Sequence, residues 1–130
     1  KALELWLVPV YILTLFNSVR FIAEHYGTPW DQGQLAGTRT IISNPFNRYF
    51  WNNLNWHIGH HVYPAVPWYN LEELHRLMAP AIAAKGAIVD PSYTGVFVEA
   101  LAGGPETEAR LAASLAARRA AAAESASLPA

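Results

Sequence analysis

The stretch ALELWLVPVYILTLFNSV, from Ala2 to Val19, carries one charge, Glu4, close to its outer end. At about 1.5 Å per helical residue, this is about the minimum that crosses a hydrocarbon core of roughly 30 Å. Backbone amides find no water there, so the stretch must be helical. Pro9 lies inside it and predicts a kink, which membrane helices tolerate better than soluble ones. A cleaved signal peptide fits poorly, because no sizeable basic region precedes the stretch and no small-x-small site comes after it. The competing reading is the buried helix of a soluble protein. Charge gives the orientation: Arg20, Arg39, Arg48, Arg76 and Lys85 lie after the span, against Lys1 before it. The positive-inside tendency puts the residues after Val19 in the cytoplasm, with Trp6 and Tyr11 towards the other interface.

Composition agrees with a membrane origin. Charged residues are 15% of the 130 and apolar residues 52%, against about 25% charged in ordinary soluble domains. The net charge of −1 argues against a nucleic-acid partner, which asks for a basic surface. Cysteine is absent, so any metal must be held by nitrogen or oxygen. A chain that opens at Lys1 and runs at once into an apolar span reads as part of a longer one.

The spacing predicts an all-α protein: one transmembrane helix and then cytoplasmic or interfacial helices, as part of a larger multi-span domain. The first helix is expected over 2–26, ending at Gly27, with a loop over 28–43. Asn44-Pro45 signals a helix start, and the helix is expected over 44–63, before Pro64. Another is expected over 70–79, with Asn70 and Glu73 as a capping-box-like start, and with Pro80 ending or kinking it and Gly86 closing any continuation. Residues 87–101 favour an extended state. The domain is therefore placed at 1–102. The Ala-rich remainder, 103–130, is expected to be a frayed helix or a disordered tail without chemistry.

The chemistry concentrates in His57-Ile58-Gly59-His60-His61. On a helix, positions i, i+3 and i+4 share a face, so three imidazoles project together. Three of five histidines within five residues, close to a membrane span, point to a metal. Neutral imidazole suits iron, zinc, copper or nickel. A zinc protease of the HExxH kind needs Glu directly after the first His, and Ile58 stands there. A redox metal acting on a lipid fits better. Asn53, four residues before His57, suits a hydrogen bond that orients an imidazole. His75 reads as an exposed or capping residue. Arg39 and Arg48 are possible contacts for acidic headgroups or substrate phosphates.

The string NWHIGHHVYPAVPWYNLEELH resembles the third histidine box, HxxHH, of membrane fatty acid desaturases. Tyr63-Pro64, Pro67-Trp68 and the helix from Leu71 to Leu77 match the family's continuation, and TRTIISNPFNRYFWNNLNW resembles its approach to the box. The likeness covers about residues 10 to 80. It implies two irons held by eight or nine histidines, dioxygen as co-substrate, and an acyl-lipid or acyl-thioester substrate in the membrane. It also implies an electron donor such as ferredoxin or cytochrome b5. His57, His60 and His61 would be ligands. His25, 32 residues before His57, matches an additional family histidine on the last membrane helix; the other reading is a helix C-terminal cap. Some members carry Asn one turn before that histidine. Here the position is Phe21, which leaves that ligand missing or replaced by Glu24. The resemblance thus implies that this chain supplies only part of the site and is inactive alone. Glu24-His25-Tyr26-Gly27 is also similar to a motif of alkane hydroxylases, so a hydroxylase or carotenoid ketolase stays open, as does a non-catalytic single-span metal-binding protein.

Overall fold

A computed structural model describes residues 1–29, 31–103 and 107–127. The first helix, α1, spans Ala2–His25 and runs unbroken through Pro9. It is the one helix among the described residues long and apolar enough to cross a membrane. Its side chains are exposed up to Val19, and the first buried residue is Ala23. No other described element covers the apolar length, which suits a lipid-facing surface. Gly27, at φ +72°, closes the helix end. A Cβ there would lie 2.7 Å from Arg39 Nη2.

Residues 28–43 are more ordered than the loop expected of them. They hold a short helix, α2 (Gly33–Ala36), and a strand, β1 (Arg39–Ile41). The Thr28 hydroxyl lies 2.7 Å from the His25 carbonyl and 3.0 Å from that of Gly37, which pins the segment to the end of α1. The strand β1 pairs in parallel with β2 (Ile88–Asp90), with Arg39 opposite Ile88. The fold is therefore mostly helical and not all-α.

The single helix expected over 44–63 is two. Asn44 caps α3 (Pro45–Phe50) by accepting from the Asn47 amide at 2.9 Å, with Pro45 at the first helical position as the sequence indicates. Asn52 and Asn53 then adopt φ of 47° and 54°, a left-handed state that asparagine enters more readily than most residues. This ends α3. The box forms its own helix, α4 (His57–Val62).

The next helix, α5 (Leu71–Ala84), continues through Pro80 and stops at Lys85, where Gly86 turns left-handed at φ +65°. The Asn70 side chain makes no cap bond; Asn70 instead ends a 3-10 turn over Trp68–Asn70. The extended reading of 87–101 holds only for β2, since α6 occupies Tyr93–Gly103. Part of the expected tail is α7 (Glu108–Ser127). It docks on the end of α5 through buried Leu115 and through Arg118 and Arg119, which donate to the Gly86 and Lys85 carbonyls. Residues 104–106 and 128–130 of that tail lie outside the described residues.

Two small cores hold these elements. Ala23, Ile41 and Val96 join α1, β1 and α6, with Tyr26 and Tyr93 against them. Ile58, Met78 and Ile82 join α4 to α5, with Leu35 and Leu74 alongside. Gly59 permits the close α4–α5 approach, since a Cβ there would lie 3.2 Å from Leu74 Cδ2. Fully burying a side chain such as Ile58 stabilises by about 1.5–3 kcal/mol.

Candidate metal centre

The box helix is short, so its position depends on neighbours. The Ile41 amide donates to the Asn55 carbonyl at 3.0 Å, and Asn55 Nδ2 donates back to the Ile41 carbonyl at 3.0 Å. The Ile58 amide donates to Thr40 Oγ1 at 3.2 Å. The strand β1 therefore fixes the first turn of α4, and α1 ends alongside it.

His57 Nε2 lies 3.1 Å from His25 Nε2 and 2.9 Å from His61 Nε2. One nitrogen from each of these three rings falls within 4.8 Å of the others. Two ligand nitrogens about 2.1 Å from one ion, at 90–109°, would themselves be about 3.0–3.4 Å apart. The spacing observed is that of ligands around a single cation.

The outer nitrogens agree with this. His61 Nδ1 is 2.8 Å from Gln34 Oε1, an acceptor, so neutral His61 carries its proton on Nδ1 and leaves Nε2 bare. His57 Nδ1 has no hydrogen-bond partner and faces Glu24 Oε2 at 3.5 Å. A proton on that nitrogen is favoured by the carboxylate, and it too leaves Nε2 bare. With both protons on the outer nitrogens, the two bare Nε2 atoms, 2.9 Å apart, could share a cation. Carboxylate and amide partners of this kind orient metal-binding imidazoles in general. Burial above all, with His61, His25, Arg20 and His60 adding to it, pushes His57 down to about 2. His61 is lowered for the same first reason. Both rings are therefore neutral and ready to ligate near pH 7.

Among the residues singled out in the sequence, the structure gathers His25, His57 and His61. His60 stands apart, its ring centroid 5.9 Å from that of His57 and 5.8 Å from that of His61. One turn of helix explains this. From His57, His61 lies about 40° round the axis one way and His60 about 60° the other. His25 packs on the His61 side. Glu24 sits behind His57, fully buried, with Arg20 Nη1 3.3 Å from Oε2. Asn53 is not one helical turn before His57, because the chain turns left-handed there. His75 is half-buried and stacked on Trp56, with ring centroids 4.7 Å apart, and it makes no cap. The arginines offered to headgroups are engaged elsewhere. Arg39 is buried between Asp90 at 3.2 Å and Glu99 at 2.9 Å, and Arg48 pairs with Glu72. Gln34, Thr40, Asn55 and Tyr93 were not evident from the sequence, since their roles arise from strand pairing and packing that no local motif announces.

Comparison with known proteins bears on the same residues. A family model described as fatty acid desaturase matches residues 1–93, a wider span than the motif likeness alone and one that contains all four histidines of the candidate set. The Delta(5) fatty acid desaturase fat-4 of Caenorhabditis elegans is 34% identical over 68 residues, which is 51% of this chain. That stretch is 15% of the relative's own length. No solved structure matches. With a family match over more than half of its length and a converging histidine cluster inside the matched region, the chain belongs to the fatty acid desaturase family.

Proposed function

We propose that the chain carries part of the iron centre of an oxygen-dependent fatty acyl desaturase, with His25, His57, His60 and His61 as ligands and Glu24 behind His57. The observation that supports this most is the convergence of three imidazoles at the end of a membrane-length helix, with His57 Nε2 2.9 Å and 3.1 Å from the other two Nε2 atoms. The name of the Caenorhabditis elegans relative supports a fatty acyl substrate, carried as an acyl-lipid or acyl-thioester. Bound iron supplies the dioxygen activation that removing hydrogen from unactivated methylenes requires, chemistry beyond any side chain. The residues of this chain do the rest. Burial keeps His25 and His57 from water. Gln34 bonds the outer nitrogen of His61, and the Glu24 carboxylate faces that of His57 at 3.5 Å.

The family resemblance asks for eight or nine histidines and two irons, and this chain has five histidines, one of them stacked on Trp56. The remaining ligands therefore belong to other segments of the full protein, and these residues alone hold no complete di-iron site. The box faces the cytoplasm, where ferredoxin or cytochrome b5 delivers electrons.

The test is lipid profiling of cells that express the full-length gene, alongside His57→Ala and His61→Ala. The wild type should add double bonds to cellular acyl chains, and either variant should lose iron and product together. A hydroxylated product, or desaturation that survives His57→Ala, overturns the proposal.

A further inference from the structure

A carboxylate buried beside a metal site must itself be held. Glu24 Oε1 accepts a hydrogen bond from the Tyr93 phenol at 3.1 Å, while Arg20 approaches both oxygens at 3.3–3.4 Å. The other oxygen faces His57 Nδ1. Tyr93 is the first residue of α6, well outside the histidine box, and its ring packs against the Ala23–Ile41–Val96 core. The Arg39–Glu99 ion pair fastens the same helix to β1. The phenol is therefore presented by a braced element.

We propose that Tyr93 is a positioning residue for the metal centre: it fixes the Glu24 carboxylate so that His57 keeps its proton on Nδ1 and its bare Nε2 towards His25 and His61. The inference rests on the reading of these histidines as a metal centre. The phenol touches one oxygen of Glu24 and His57 faces the other, while Arg20 lies near both. With the phenol on Oε1, Oε2 is left for the imidazole. Without the phenol, Arg20 still attracts Oε1, and the carboxylate can rotate towards the guanidinium and away from His57. Burial first, then the neighbouring Glu24, pushes the Tyr93 phenol above its usual range, so it remains a donor under all working conditions. Loss of a group that orients a ligating imidazole directly, as Glu24 would His57, typically costs about 10- to 100-fold in metal affinity, and removing the phenol acts through that carboxylate.

The experiment uses the full-length protein, stripped of metal and titrated with cobalt(II), whose visible ligand-field bands report the donor set. Tyr93→Phe keeps the ring and removes the donor. It should weaken cobalt binding at least about tenfold and shift the bands, and Glu24→Gln should do likewise. Val96→Ala is the structural control, since it loosens α6 without touching Glu24. It should lower thermal stability while leaving cobalt affinity and bands unchanged. Wild-type cobalt binding by Tyr93→Phe overturns the inference, as does an equal loss in Val96→Ala. Cobalt affinity and bands left unchanged by His57→Ala sink the metal-centre reading itself, which separates that failure from one confined to Tyr93.

Discussion

At Gly27 the backbone is left-handed and the buried Arg39 guanidinium passes close to where a Cβ would stand. Gly27→Ala meets both obstacles. The left-handed conformation costs a non-glycine residue roughly 1–2 kcal/mol, and Arg39 has to give way while paired with Asp90 and Glu99. Denaturation of the full-length protein in detergent should show a loss of at least about 1 kcal/mol; an unchanged midpoint would mean that the turn relaxes freely. Gly27 was legible in the sequence as a helix stop, whereas its contact with Arg39 was not, because that arginine arrives from a strand twelve residues on. The histidines divide in the same way. The i, i+4 spacing of His57 and His61 was enough to pair them, but only the packing of α1 decides that His25 joins that side and His60 does not.

Among the elements, periodicity reaches its limit at the turns. Asn44-Pro45 marked the start of α3 correctly, and the Asn52-Asn53 pair was the stop signal within the supposed long helix. Its meaning lies in two consecutive left-handed residues, with the Asn53 amide donating back to the Arg48 carbonyl at 2.8 Å. Replacing both asparagines with alanine should cost roughly 2–4 kcal/mol, about 1–2 per residue, while replacing both with glycine should cost far less. Matched chemical denaturation of the two double variants checks this, and equal losses would show that the asparagine side chains, not the backbone state, hold the turn. The strands were harder to read. Each is three residues long, too short for a period-two pattern, and β1 is buried along its length because α1, α4 and β2 surround it. Yet β1 seats the box, through Thr40 on the Ile58 amide and through the two bonds between Ile41 and Asn55.

On the scale of the whole molecule, the polar part hangs from one end of α1. Side chains are exposed without a break from Ala2 to Val19, 18 residues, a length of about 27 Å at 1.5 Å per residue. That nearly equals the hydrocarbon thickness of roughly 30 Å. If α1 spans the bilayer over that length, the histidine cluster lies just beyond the lipid boundary, within a turn of the helix end. An acyl chain would reach it from the membrane while electrons and dioxygen arrive from the aqueous side. The proposed cytoplasmic placement rests on charge. Arg20 and Arg39 lie within about 15–20 residues of the end of the span, the range over which basic residues set orientation. A glycosylation acceptor inserted directly after Ala130 in the full-length protein should therefore stay unmodified in cells, and limited protease applied to sealed, right-side-out vesicles should leave that insertion intact. Modification of the acceptor would put the box on the far side of the membrane, away from soluble electron carriers, and the desaturase proposal would then need a different source of electrons.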